Sequence, residues 1–307
     1  SSCGGSCAGE CNVPQNGDVL IYSTTKDSND GTNAGNGDNK FVVTASTNPY
    51  RNVLMNGNFD VWQRGTVFTS TTTTGSNTFY TADRWRFADS SSSTFSLSQS
   101  SSTHPFASGA SSIPGKYSLQ AFCTLGSDVS SSNYTGINYD VGGYDFATLL
   151  AAKCATMSFW VKSNTVGTYC ISFKNHDNTI SYVSEYTIDN ANTWYYKTVT
   201  IPTPPNPASG WNYSTDMIGL RVMFVTSSGT DYHTTAGNWQ NANALSTANQ
   251  VNAAAVADTT NPMLEITQVQ LEAGSVATPY QAMSWDDTFA KCQRWFQKSY
   301  DWHHVPG

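Results

Sequence analysis

The chain has 307 residues, of which 15 are Lys or Arg and 22 are Asp or Glu, so its formal net charge is −7. An acidic chain with so few basic residues is a poor binder of nucleic acid. A membrane-spanning helix needs about 20 consecutive apolar residues, and the sequence contains no such run. Aromatic residues reach 13%, which is enough for a large core, whereas charged residues make up only 12%.

Residues 1–50 differ in composition from the rest and predict a Gly/Cys-rich linker with one β-hairpin. Two short apolar runs, at residues 17–22 and 41–44, flank a Gly/Asn/Asp-rich loop. A hairpin of two strands is only marginally stable by itself. We therefore expect this hairpin to pack against a neighbouring chain.

The cysteines fall into two groups. Cys3, Cys7 and Cys11 are spaced four apart, but a fourth metal ligand is missing, so inter-chain disulfides or a flexible tether are preferred over zinc. The others are scattered, and we expect them to be small buried apolar groups rather than a disulfide framework: Cys123, Cys154, Cys170 and Cys292.

From residue 51 onward, apolar residues alternate along short runs that are separated by Gly, Asn, Ser and Pro. Alternation of this kind indicates antiparallel sheets with one buried face. The runs include residues 95–97, 117–123, 157–162, 169–173, 194–201 and 220–224. The fold class is therefore all-β, and the arrangement predicts a jelly-roll β-sandwich over residues 51–283.

Two long loops interrupt this pattern. Residues 202–212 carry four prolines and should be extended, and residues 234–262 are rich in Asn, Ala and Thr. A loop of that second length is usually functional or disordered.

Residues 284–307 predict a C-terminal helix and tail. Ser284 and Asp287 resemble a capping box with Asp in place of Glu. Aromatic and apolar residues then recur on one side, at Phe289, Cys292, Trp295, Phe296 and Tyr300. This side either packs on its own domain or docks onto another subunit.

No catalytic motif is recognisable, so we expect neither enzymatic activity nor a cofactor. No Ser lies in a GxSxG turn, no phosphate-binding glycine loop occurs, and none of the five histidines belongs to a known motif. Glu265 and Glu272 stand seven residues apart on one predicted strand, so we expect them on opposite faces. A glycosidase pair needs two carboxylates that converge on one bond.

Several segments closely resemble a domain of tail-fibre and other virion proteins of tailed bacteriophages. They occur in order, as NVLMNGNFDVWQRG at residues 52–65, YTADRW at 80–85, MSFWVK at 157–162, EITQVQLEAGSVATPY at 265–280 and CQRWFQKSY at 292–300. The resemblance implies a jelly roll like that of carbohydrate-binding modules, with its first and last strands close together. It also implies a non-enzymatic subunit on the exterior of the virion, near a fibre tip.

The partners implied by this resemblance are other virion or fibre proteins and a glycan of the host surface. Such proteins are usually trimeric, and a homotrimer would also cover the leader hairpin and the aromatic C-terminal helix. The alternatives are a carbohydrate-binding module of a secreted protein and a polysaccharide depolymerase. The depolymerase is less favoured because the chain has no internal repeat of fixed period.

Related carbohydrate-binding modules hold a structural calcium, for which Asp60 is the candidate ligand here. Gln268 stands near the expected position of the second carboxylate and is neutral. Calcium prefers several oxygens, including charged ones. The other interpretation is that Asn56, Asn58 and Asp60 complete a tight turn. In either case we expect Phe59, Trp62 and Trp85 in the core.

Two loop segments combine aromatic rings with amide groups, which is the chemistry that binds sugars. The candidate glycan-binding residues are Trp211, Asn212, Tyr213, Tyr232 and Trp239, with Asp231, Asn238 and Gln240 beside them. The alternative is that these aromatic residues cap the edge of the sandwich.

Overall fold

A computed structural model describes residues 19–23, 40–44, 51–70, 77–101, 105, 116–150, 152–204 and 209–299. Several sequence predictions concern residues outside this set, namely Cys3, Cys7, Cys11, His104, Tyr300, His303, His304 and part of the proline-rich loop.

The described residues form antiparallel β-structure. Strands β1 (Val19–Ser23) and β2 (Lys40–Thr44) pair with each other, as predicted for the leader hairpin. Further strands are β3 (Val67–Thr69), β4 (Asn77–Tyr80), β5 (Trp85–Asp89), β6 (Thr94–Ser100), β7 (Ser118–Leu125), β8 (Tyr134–Gly142), β9 (Cys154–Lys162), β10 (Gly167–Lys174), β11 (Ser181–Ile188), β12 (Tyr195–Pro202), β13 (Ile218–Ser228), β14 (Trp239–Gln240) and β15 (Leu264–Ala273).

Strands β3 to β15 form the two sheets of the predicted jelly-roll sandwich. The seven-stranded sheet has the order β14-β11-β10-β13-β8-β5-β4, and the six-stranded sheet has the order β12-β9-β15-β7-β6-β3. Aromatic side chains join the sheets across the core: Phe87 meets Phe95 with ring centroids 4.8 Å apart, and Phe159 meets Phe224 at 5.0 Å. Each such ring, when fully buried, contributes about 1.5–3 kcal/mol.

The first sequence motif is a buried turn that ties the start of the sandwich to its last strand. Asn52 accepts a hydrogen bond from the Leu271 amide, and the Val269 amide donates to the Gly57 carbonyl. Phe59, Trp62 and Trp85 are 0%, 3% and 0% exposed. Their predicted place in the core is confirmed, and the two ends of the domain lie together as the resemblance implied.

The predicted C-terminal helix is present as α2 (Trp285–Gln293). Ser284 caps it, because its hydroxyl accepts a hydrogen bond from the Asp287 amide. The helix ends before Trp295 and Phe296, which lie in the turn that follows and stack on arginines of the first two motifs. The guanidinium carbon of Arg84 lies 3.9 Å from the Trp295 ring centroid, and that of Arg64 lies 3.5 Å from the Phe296 ring centroid. Of the two alternatives, this arrangement is packing on the helix's own domain.

A second helix, α1 (Gly143–Leu149), was not predicted from the sequence. It has about two turns and no side-chain cap, so its start carries no local signal. It packs on β13 because Gly219 leaves room: a Cβ atom there would lie 2.6 Å from the Cβ of Phe146.

The long loop after β13 packs on the outer face of the seven-stranded sheet. Ala244 and Leu245 are buried there against Val183 and Met223. The sequence prediction that this segment is functional or disordered missed this anchoring, because the two buried residues are too few to form a pattern.

The four scattered cysteines lie in the described part of the chain. All are buried and none forms a disulfide, as predicted, and burial raises the pKa of the Cys292 thiol to about 12.

Candidate functional site

The strand that carries the MSFWVK motif places polar and aromatic residues on the outside of the six-stranded sheet. Met157, Phe159 and Val161 are 0% exposed and face the core. Because successive side chains of a strand point to opposite faces, Trp160 and Lys162 lie on the outer face.

Neighbouring strands extend this surface sideways. Trp160 of β9 is paired with Thr267 of β15 on one side and with Tyr196 of β12 on the other. The rings of Trp160 and Tyr196 lie 5.5 Å apart at an interplanar angle of 52°, and Tyr196 is 45% exposed. We call Trp160, Lys162, Trp194, Tyr196 and Glu265 the outer-sheet site.

A buried ion pair fixes one end of the outer-sheet site. The Lys162 ammonium contacts Glu265, and it also lies 5.1 Å from the centre of the Trp194 ring. The Ser118 hydroxyl donates to the other oxygen of Glu265. The carboxylate is fully buried and Lys162 is nearly so, which holds these polar groups in one arrangement. Replacing one partner alone would leave a buried charge unpaired.

The prediction that Glu265 and Glu272 face opposite sides of β15 was wrong. A β-bulge between Thr267 and Gln270, with Gln268 at φ 49°, inserts one extra residue into the strand. The Glu272 side chain therefore points to the same outer face as the Glu265 side chain. The two carboxylates share a face but pair with Lys162 and Thr156, six residues apart on β9. At the rise of a strand this separation is roughly 20 Å, far beyond a glycosidase pair.

Both carboxylates are also committed to local hydrogen bonds. Glu272 accepts from the Thr278 amide at 2.8 Å, from the Thr278 hydroxyl at 2.7 Å and from the Gln270 side chain at 2.8 Å. Their oxygens hold the last strand and the chain after it in place.

The outer-sheet site has the chemistry of a sugar-binding surface. An exposed ring presents an apolar face on which the C–H face of a pyranose can stack, and the buried ion pair of Lys162 and Glu265 fixes the sheet beside it. Sequence reasoning missed this site, although the alternation that placed Phe159 in the core also placed Trp160 outside.

The predicted loop residues lie in two different places. Trp211, Tyr213 and Trp239 meet at one end of the sandwich: the rings of Trp211 and Trp239 are 5.5 Å apart, and Phe146 contacts Trp211 at 5.1 Å and stacks on Tyr213 at 6.0 Å. Tyr232 lies at the other end of β8, where its ring meets Tyr134 at 5.1 Å.

The end cluster is more buried than the sequence prediction required. Trp211 is 7% exposed and belongs to the core, so its ring presents no free face to a ligand. The indole of Trp239 donates to the Pro202 carbonyl at 2.9 Å. Asn212 and Tyr213 are half-buried. Capping of the sandwich end accounts for these contacts, and sugar binding by the loops stays a prediction.

The surroundings of Asp60 do not fit a calcium site. Its carboxylate accepts a hydrogen bond from the Asn58 side chain, and burial raises its pKa to about 6. Within the described ranges, no three His, Cys, Asp or Glu residues converge in a way that could hold a metal ion. Calcium prefers several charged oxygens, and among the described residues Asp60 belongs to no group of three such ligands.

No helix in the described part of the chain is long and apolar enough to cross a membrane.

Comparison with protein-family models and with curated proteins finds no match. Among solved structures, the enzymatically active domain of tailspike protein 4 of bacteriophage CBA120 is similar over 75% of this chain and 22% of that one, with 12% identity and a TM-score of 0.34. TmCBM61 in complex with β-1,4-galactotriose is similar over 73% of this chain and 99% of that one (10% identity, TM-score 0.32). The family 11 carbohydrate-binding module of Lic26A-Cel5E from Clostridium thermocellum is similar over 67% of this chain and 98% of that one (15% identity, TM-score 0.32).

These likenesses are distant, and the aligned region spans less than a quarter of the tailspike chain.

Proposed function

We propose that this protein is a non-catalytic glycan-binding protein and that the outer-sheet site is its binding surface. The observation that carries the proposal is the ring pair of Trp160 and Tyr196 on a rigid sheet face, beside the fixed ion pair of Lys162 and Glu265. A sheet positions such rings more precisely than a loop does.

The test is a glycan array probed with the wild-type chain, with Tyr196→Ala and with a matched control, Tyr144→Ala. Tyr144 is 61% exposed on α1, outside the outer-sheet site. Loss of one stacking ring should weaken binding by roughly tenfold, or about 1.4 kcal/mol. The control should bind like the wild type. Equal binding by all three chains would refute the assignment of the site.

The absence of catalysis has its own test. Release of reducing ends from a polysaccharide that the protein binds would identify a depolymerase and contradict this part of the proposal. The hydrogen-bonded state of Glu265 and Glu272 supports the expectation of no release.

We further propose that the protein is a tail-fibre or spike subunit on the exterior of a bacteriophage particle and that it acts as a homotrimer with other fibre proteins. The five ordered motifs support this role. Mass spectrometry of purified particles should detect the chain, and analytical ultracentrifugation should show a trimer at micromolar concentration. A chain found only free in the medium would instead favour a carbohydrate-binding module of a secreted protein.

A further inference from the structure

The outer face of the seven-stranded sheet carries a cluster of charged residues that the proposed function does not use. Lys174 of β10 is paired with Arg221 of β13, and Arg221 is paired in turn with Asp140 of β8. Arg86 of β5 lies on the same face. We call Arg86, Asp140, Lys174 and Arg221 the basic patch.

The charges of the basic patch do not balance. Nη2 of Arg86 lies 3.1 Å from the Asp140 carboxylate, and Nε of Arg221 lies 3.5 Å from it. Lys174 donates to a neutral group, the Asn243 side-chain oxygen, at 3.0 Å. Three cations therefore share one carboxylate, which leaves two excess positive charges on a chain whose formal net charge is −7.

The excess charge is held where water solvates it incompletely. Burial, reinforced by the charges of Arg221 and Arg86, lowers the pKa of Lys174 to about 8, and Asp140 acts in the opposite direction. The Nε atom of Arg86 is buried and has no hydrogen-bond partner among the described residues. Nε of Arg221 has only its long contact with Asp140, and Nη1 of Arg221 donates to the neutral Asn178 side chain at 3.4 Å. Neighbouring cations in partly dehydrated surroundings repel one another, and a further anion would relieve this repulsion.

The basic patch is open to a ligand at its border. The side chains of Arg86 and Arg221 remain 17% and 27% exposed. Tyr80 is paired with Arg86 and is 47% exposed. Guanidinium groups bind oxyanions through paired N–H donors, and an ammonium group adds a point charge.

We propose that the basic patch binds an oxyanion, that is, a carboxylate, sulfate or phosphate group. Such a group is present on an acidic glycan and also as a free inorganic ion. This site is on the opposite sheet from the outer-sheet site, so it does not depend on the proposed function. A chain that also bound neutral glycan at the outer-sheet site would have two separate recognition surfaces.

The test is calorimetric titration of the full chain with sodium sulfate and with tetragalacturonate, at constant ionic strength set with NaCl. Lys174→Met and Arg221→Gln should each weaken binding of both probes by roughly tenfold, because each removes one nearby charge. Lys153→Met removes an equal charge from an exposed position just before β9 and should have no effect.

Asp140→Asn distinguishes an anion site from a structural ion pair. It removes the carboxylate that competes with the ligand, so sulfate should bind more tightly than it does to the wild type. A purely structural cluster would instead show no sulfate binding in any chain. Thermal unfolding monitors whether each variant is folded, and Lys174→Met, whose partner Asn243 is neutral, tests the site if Arg221→Gln does not fold.

The two sources of the oxyanion are separated by the same titrations. Tetragalacturonate binding at least roughly tenfold more tightly than sulfate would identify an acidic glycan, and equal affinities would identify a free ion. Tyr196→Ala should leave both titrations unchanged. No measurable binding of either probe by the wild type, or equal losses in Lys153→Met and Lys174→Met, would overturn the proposal.

Discussion

Asn56 is the residue on which the first sequence motif depends most heavily. It is 3% exposed and adopts φ 57°. Its side-chain oxygen accepts from the Val61 amide at 3.0 Å, and its side-chain nitrogen donates to the carbonyls of Val61 at 2.8 Å and Asp83 at 3.0 Å. Asn56→Ala would remove these three bonds and leave their partners buried without replacements.

The cost of this substitution follows from the three bonds. A buried group left unsatisfied costs about 1–3 kcal/mol, and some relaxation is expected, so the unfolding free energy should fall by about 3–5 kcal/mol. For a domain of this size that corresponds to a melting temperature lower by roughly 10–15 °C. Differential scanning calorimetry and urea unfolding would measure both quantities.

A matched control separates the hydrogen bonds from the backbone conformation. Asn192 has the same φ of 57°, but its side chain is exposed. Asn192→Ala should therefore cost only about 1 kcal/mol, the penalty of a left-handed backbone for Ala. Equal losses in Asn56→Ala and Asn192→Ala would refute the assignment of the motif to buried hydrogen bonding.

Two further stability measurements test other buried polar groups. Lys162→Met should lower the free energy of unfolding in urea by about 3–5 kcal/mol because Glu265 loses its cation. Adding Glu265→Gln should restore much of this free energy, and a double variant no more stable than Lys162→Met would contradict the ion-pair assignment. Burial raises the pKa of Asp60 from 3.8 to about 6, so the folded protein favours the neutral carboxyl group. The stability that the neutral group contributes is fully present below about pH 4 and is lost as the pH rises through 6. Asp60→Asn should therefore gain stability relative to the wild type between pH 4 and pH 7, by up to about 3 kcal/mol, whereas a pH-independent difference would show that Asp60 titrates normally.

Local sequence patterns predicted the sandwich and much of its core. Alternation identified the strand at residues 157–162, and the capping residues identified the start of α2 at Ser284. Trp62 and Trp85 were assigned to the core on the basis of their motifs. These signals lie within a few residues of each other, so they can be interpreted without knowledge of the fold.

The outer-sheet site could not be predicted in the same way, because it is formed by contacts between residues that are distant in the sequence. Alternation places Trp160 outside the core, but only the strand order brings Tyr196 beside it. The bulge at Gln268, which puts Glu265 and Glu272 on one face, has no local signal. Trp211 follows a proline-rich loop, and its burial is decided by Phe146 and by the distant Trp239.

The most direct test of glycan binding by the outer-sheet site is an NMR titration that follows the indole N–H signals of the nine Trp residues, using the oligosaccharide that binds best on the array. The Trp160 signal should shift with saturation, while the signals of the core residues Trp62 and Trp85 should not move. A shift at Trp239 with Trp160 unmoved would place the ligand in the end loops and contradict the account.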